Sequence, residues 1–252
     1  MSLISFSILL SIHHVYSQTE CTYAGIDSNY VTFCDLNNTL RAQFIDRFDS
    51  TDFHDLMAKV VRLAFHDCFG PSQYDDTIPA ICDGCIDLDN PSHGGLEDTA
   101  VNRVAGIYNS RENNWFQRIS RADFWSAAAT IAIQYANELS MTTDLHGSSP
   151  TTESLPYIPF YIGRTDCSTS PDVDTSNYPS PYKSFPAATK GFDHNYQLFA
   201  DSFGFSEQEF VALLGAHTLG RVHSGNSGFG DELGKPWVEA WDILDNEFYH
   251  VL

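Results

Sequence analysis

From Asp52 to Cys68 the apolar positions Phe53, Leu56, Met57, Val60, Val61 and Ala64 recur every three or four residues, the period of a helix with one face on a core. Two cation-capable side chains interrupt that face: Arg62 and His66 stand four apart, and residues at that spacing lie one above the other. Residues 69–94 are rich in Gly, Pro and Asp and predict loop, followed by a helix near residues 95–108. A longer helix opens at "SRADFWSAAATIAIQYANEL", where Ser120 and Asp123 have capping-box spacing and the alanine run marks a buried face. Residues 142–191 are proline-rich and aperiodic and predict a long surface excursion, with a short strand at "YIPFYIG". The last clear pattern starts at Ser206, paired with Glu209 in a second capping box. It runs through Phe210, Val211, Leu213 and Leu214 to His217, and Gly220 ends it. Residues 19–50 are polar, and the chain shows no internal repeat or coiled-coil heptad.

Composition narrows the class. The 252 residues, 42% hydrophobic and 13% aromatic, suit one globular unit with a sizeable core or two lobes around a cleft. Thirty-three acidic against 13 basic residues give a net charge of -20, which repels nucleic acid and anionic membrane surfaces and favours neutral or cationic partners. The opening "MSLISFSILLSIHHVYSQ" is apolar, too short to span a bilayer and ends on small residues, so residues 1–17 read as a secretory signal. No Lys or Arg precedes it, and an apolar first helix is the alternative. No other stretch reaches membrane-spanning length, so no stable membrane association is expected. Six cysteines and the sequon Asn37-Asn38-Thr39 suit an oxidising compartment. Cys82-Asp83-Gly84-Cys85 has the spacing of a zinc half-site or a redox motif, but with no second such pair disulfides are the better reading.

Two segments carry the chemistry. An arginine beside a partly buried imidazole disfavours the imidazolium, so His66 would stay neutral and accept a proton while Arg62 steadies a forming anion. Taken alone, the pair also fits a partly exposed helix with a solvated arginine. Asp67 follows at once, but adjacent helical residues point about 100° apart, so it is poorly placed to complete a triad with His66. His217 ends an apolar helix, and Gly215, Ala216 and Gly220 leave the backbone bare around it. A core histidine bonded to a carbonyl accounts for that, and so does an axial ligand to a flat metal cofactor.

The strings "RLAFHDCFG" and "LLGAHTLGRVH", in this order, resemble the distal and proximal signature segments of the plant, fungal and bacterial haem peroxidase superfamily. "DNPSHGGLED", "SRADFWSAAA", "YIGRTDC", "SNYPSP" and "DNEFY" extend the resemblance from about residue 40 to the end. It implies a mainly α protein with the haem peroxidase fold: two helical lobes sandwiching haem b, few short strands, and a single domain over residues 18–252 whose lobes divide near residue 170. It implies Arg62 and His66 as the distal catalytic pair and His217 as the axial iron ligand. Hydrogen peroxide would then be cleaved while His66 moves a proton between its oxygens, and small phenolic or aromatic donors would return the electrons. Phe65 stands where secreted branches carry Phe, and Trp237 stands under the proximal histidine. Pro179 and Pro181 resemble the segment beside the exposed haem edge. Asp67 and Asp83 match carboxylates of a distal calcium site, with Cys85 where a serine is usual. Thr218 and Asp245 match a proximal cation site, although Val238 and Ala240 at its other positions offer no side-chain ligand. A Cys68–Cys82 bridge is implied, and with it Cys85–Cys167 and Cys21–Cys34.

Three departures accompany the resemblance. His93 stands where the family has an asparagine bonded to the distal histidine, and another imidazole accepts that bond only in the right tautomer. Asn226 stands where ascorbate-using members carry arginine, which argues against ascorbate as donor. The sequence stops at "DNEFYHVL" before the aspartate that bonds the axial histidine, so a partial chain of a longer protein is expected. The overall expectation is a secreted, monomeric, haem-dependent peroxidase of the oxidative-stress response. The alternatives are a non-enzymatic haem-binding protein, a partial chain inactive without that aspartate, and a calcium-binding module that uses no haem.

Overall fold

The structure, a computed structural model, describes residues 28–45, 51–69, 82–142, 158, 160–167, 185–227 and 229–251. These form helices α1 (Ser28–Ile45), α2 (Thr51–Cys68), α3 (Asn102–Tyr108), α4 (Arg121–Thr142), α5 (Gly191–Phe203), α6 (Glu207–Leu214) and α7 (Ser224–Ser227). One antiparallel pair of two-residue strands, β1 (Arg221–Val222) and β2 (Lys235–Pro236), accompanies them. The mainly α expectation holds. No described helix is long and apolar enough to cross a membrane.

The main core lies between α2 and α4. Leu56, Met57, Val60 and Leu63 of α2 are buried with Ala128, Ile131 and Ala132 of α4, the two alanines leaving room for the larger side chains. Burial of each large aliphatic side chain contributes about 1.5–3 kcal/mol. Of the predicted stripe, Leu56, Met57 and Val60 are buried and Val61 and Ala64 half-buried, while the Phe53 side chain lies outside the described residues. The helix predicted near 95–108 is a π-turn at Glu97–Val101 that runs into α3.

Several elements depart from the sequence reading. Helix α1 lies in the segment read only as polar: it buries Cys34, Leu36 and Leu40, and the forked pairing of Arg41 with Glu138, both contacts at 2.6 Å, links it to α4. Asn37 of the sequon faces inward on this helix, and its Oδ1 accepts from Arg41 Nε at 3.0 Å, so the acceptor amide is packed into the fold. Helix α5, which begins where the expected excursion ends and which no sequence pattern announced, turns Tyr196, Phe199 and Phe203 to one side and stops at Gly204, whose φ of +69° provides the left-handed cap. The segment around Phe160 forms no strand among the described residues. At α4 only half of the capping box exists. Asp123 N donates to Ser120 Oγ at 3.0 Å, while the Asp123 carboxylate accepts from Gly163 N at 2.7 Å and Arg164 Nη1 at 2.9 Å. The box at α6 is complete.

A second, aromatic core of Phe69, Phe199 and Phe210 is surrounded by Phe65, Phe185, Leu213 and Leu214. It joins the end of α2 to α5 and α6. Disulfides Cys68–Cys82 and Cys85–Cys167 form as expected, so the Cys82 and Cys85 thiols belong to separate bridges and not to a zinc half-site. Cys34 is also disulfide-bonded; Cys21 and residues 1–17 lie outside the described residues.

Candidate active site

Helix α2 delivers Arg62 and His66 to one side, as their spacing requires. The Arg62 guanidinium donates from Nη1 to Gly94 O and from Nη2 to Ser92 O, both at 2.8 Å. Those carbonyls belong to a tight turn, Pro91–His93, fixed by Asn90 Oδ1 accepting from Ser92 N at 3.0 Å. Among the described residues no carboxylate pairs with Arg62. Burial pushes its pKa down to about 10, which still leaves it cationic at neutral pH.

The same turn places His93 against His66, with ring centroids 5.0 Å apart and planes at 80°. Phe65 meets His66 edge-on at 5.6 Å, and Phe185 stacks on it at 4.6 Å with planes 22° apart. Burial first, then the charges of Arg62 and His93, hold the His66 pKa well below the ordinary imidazole value. Beside the cationic Arg62 the His66 ring therefore favours its neutral form. Burial and Arg62 push His93 down to about 4, against a smaller opposing effect of Asp87. The imidazole-to-imidazole bond that the right tautomer would permit does not form: among the described residues His66 Nδ1 is buried without a hydrogen-bond partner, and both ring nitrogens of His93 are buried too.

Asp67 points away from His66, as its position predicts. Its Oδ1 accepts from Gly84 N at 2.8 Å and Cys85 N at 3.1 Å, and Asp83 Oδ1 accepts from Cys85 N at 3.2 Å. Burial, then the neighbouring Asp83 charge, raises the Asp67 pKa well above the usual carboxylate range. The two carboxylates and both sulfurs of the Cys85–Cys167 bridge share this corner, and the sulfurs, being bonded to each other, are not metal ligands.

On the other side, His217 sits on a 3-10 turn, Gly215–Thr218, that follows α6, and not on the α-helix itself. Its Nδ1 lies 3.0 Å from Leu214 O. Burial lowers its pKa, partly offset by that carbonyl, so the ring is neutral with Nδ1–H donating and the Nε2 lone pair available. Trp237 meets the ring edge-on at 4.8 Å, and Phe248 stacks at 5.3 Å with planes 30° apart. Phe248 was legible only as part of the "DNEFY" string. Thr218 and Asp245 do come together, but Thr218 Oγ1 donates to Asp245 Oδ1 at 2.8 Å, and Val238 is buried in the core.

The two sides touch. Gly220, with φ +92°, passes so close to α2 that a Cβ there would lie 2.6 Å from Ala58 Cβ, one turn before Arg62. Asn226 lies on the Gly94–Gly95 backbone, where a side chain at Gly95, φ +78°, would collide with its amide. Phe65 and Leu214 share the aromatic core. Pro179 and Pro181 lie outside the described residues; the segment that reaches the His66 side is Phe185–Pro186, which sequence reasoning passed over. Its one mark in the sequence is an aromatic placed directly before a proline and a helix start.

The donor set fits an iron porphyrin. His217 is a neutral imidazole with its second nitrogen tied down, the usual state of an axial ligand.

The comparisons agree. The family model described as "Peroxidase" matches residues 38–247. The chain is 34% identical over 163 residues, 65% of its length and 51% of the relative's, to the cytosolic L-ascorbate peroxidase 1 of Oryza sativa subsp. indica. It is 30% identical over 201 residues, 72% of its length and 56% of the relative's, to the mitochondrial cytochrome c peroxidase of Yarrowia lipolytica. The chain therefore spans about half the length of these curated relatives. The matched span holds Arg62, His66, His93, His217 and Trp237, and on that match the chain belongs to the haem peroxidase superfamily.

Proposed function

We propose that this chain forms the peroxide-cleaving centre of a haem peroxidase that reduces hydrogen peroxide to water. One observation carries the reading: a buried, neutral His66 beside a cationic Arg62 that no described carboxylate neutralises. Bound haem, ligated by His217, would supply the iron redox chemistry. His66 takes the proton from one peroxide oxygen and returns it to the other, which leaves as water. The Arg62 N–H groups stabilise the negative charge that develops as the O–O bond breaks. Trp237 and Phe248 fix the plane of the His217 ring. Replacing His66 or Arg62 by Leu in haem-loaded protein should slow peroxide consumption by roughly 100-fold to 10,000-fold. Unchanged rates in both variants would remove the reading.

The donors we propose are small phenols or other aromatics, supported by Asn226 at the position where ascorbate users carry arginine and by a surface charge that repels polyanions. The relatives' names point to ascorbate and cytochrome c, so guaiacol, ascorbate and ferrocytochrome c compared as donors decide the question. Secretion is supported by the apolar leader and the two described disulfides, and is tested by finding the mature chain in the culture medium. Calcium at Asp67 and Asp83 and a monomeric state belong to the same reading. Calcium should raise the melting temperature of the native chain and lose that effect in Asp83→Ala. A non-enzymatic haem-binding role is favoured by one feature, the bond from His217 Nδ1 to a carbonyl and not to a carboxylate. A haem absorption band without donor oxidation would select it.

A further inference from the structure

Among the described residues the His66 ring has no hydrogen-bond anchor. Its Nδ1 is buried and unpartnered, and the terminal torsion of a histidine is broad and intrinsically weakly held. Something else must fix the ring if its other nitrogen is to meet a peroxide, because general-base catalysis needs the base within hydrogen-bond reach of the proton it moves. Among the described residues three rings surround it, and one of them lies flat on its face: Phe185, at 4.6 Å and 22°. His93 and Phe65 touch it edge-on.

Phe185 is itself held. It meets His93 edge-on at 4.9 Å and packs on Phe69 at 5.0 Å, within the cluster that includes Phe199 and Phe210. Pro186 follows, restricting the backbone of Phe185 to extended conformations. The ring is therefore placed by α2 and α5 together, and it closes the space beside the distal imidazoles: His66 Nδ1 and both nitrogens of His93 are shut off from solvent.

We infer that Phe185 is a positioning and specificity-determining residue, whose ring holds His66 by stacking in place of a hydrogen bond and confines the pocket to hydrogen peroxide over bulkier hydroperoxides. The inference rests on His66 being the distal base. Stacking fixes the tilt of the imidazole plane, so the ring is steered without changing its hydrogen-bonding nitrogens. Phe185, packed on both the His66 and the His93 rings, leaves less room beside the imidazole for an organic group than for hydrogen peroxide.

The test uses the full chain with Phe185→Leu, which keeps bulk but not the ring, Phe185→Ala, which removes both, and Phe185→Tyr, which keeps the ring. In haem-loaded protein the reaction with hydrogen peroxide should slow by roughly 10-fold to 100-fold in the Leu and Ala variants and recover in the Tyr variant. The rate ratio of cumene hydroperoxide to hydrogen peroxide should rise at least about 10-fold in Phe185→Ala. In haem-free protein the carbon-bound proton resonances of the His66 ring should move downfield in the Leu variant, where the ring current is lost, and stay in place in the Tyr variant. Leu and Ala variants that keep both the peroxide ratio and the His66 resonances overturn the inference. A wild-type protein that shows the ring-current shift yet consumes no peroxide overturns the catalytic reading, and this inference falls with it.

Discussion

Replacing His93 by asparagine should flatten the loss of stability on acidification. In the folded chain His93 titrates near 4, against 6.5 when unfolded, because it is buried and faces Arg62. The fold therefore favours the neutral ring. This stabilisation is complete above about pH 6.5 and disappears as pH falls towards the folded value. A shift of that size corresponds to roughly 3 kcal/mol in full, at about 1.36 kcal/mol per pH unit, and about 2 kcal/mol of it is already lost at pH 5. For a chain of this length, about 2 kcal/mol lowers the melting temperature by about 4–8 °C. His66 and His217 are shifted in the same direction, so the wild-type protein should lose more than this between pH 8 and pH 5. The difference between wild type and His93→Asn isolates the His93 share. Urea denaturation of both proteins at pH 8 and pH 5 measures it. Equal losses in the two proteins would refute the claim that His93 is held neutral against Arg62.

Gly95→Ala should destabilise the chain by about 1–2 kcal/mol, since its φ is left-handed and its new Cβ meets the Asn226 amide; adding Asn226→Ala should recover part of that in a double-mutant cycle. Thr218→Val should cost about 1–3 kcal/mol in chemical denaturation, because the valine leaves the Asp245 carboxylate without the donated bond of a fully buried hydroxyl. Removing the Cys85–Cys167 bridge as a double alanine variant should cost about 2–4 kcal/mol, read as a shift of the urea midpoint under oxidising conditions.

What was legible in the sequence follows the strength of each local pattern. The α2 stripe, the alanine face of α4 and the Ser206–Glu209 box are periodic or chemically specific, and the structure contains all three. Helix α1 was passed over although Phe33, Leu36, Leu40 and Phe44 recur three and four apart, because the polar residues between them dominate the segment; Leu36 and Leu40 are buried, and Arg41 adds a contact to Glu138 almost a hundred residues away. Helix α5 was hidden by the prolines upstream of it. At the site, spacing and neighbours singled out Arg62, His66 and His217, but their roles came from the resemblance of the two signature segments. The Phe185 contact could not, because a ring brought from a distant segment leaves no periodic mark. The failure of His93 to bond His66 was equally invisible: sequence names the two imidazoles but not the angle at which they meet.

At the end of α2 three successive residues answer to three unrelated restraints. His66 enters the aromatic box, Asp67 is held by the amides of Gly84 and Cys85, and Cys68 is tied to Cys82. Each lies about 100° around the axis from the next, so no rotation of the helix relieves one without breaking another. An added or deleted residue between Arg62 and His66 would shift all three together relative to Arg62. Transplanting this centre into another scaffold therefore means moving Arg62–Cys68 and Cys82–Cys85 as one indivisible cassette, with evolutionary drift in helix register closed to this part of the chain.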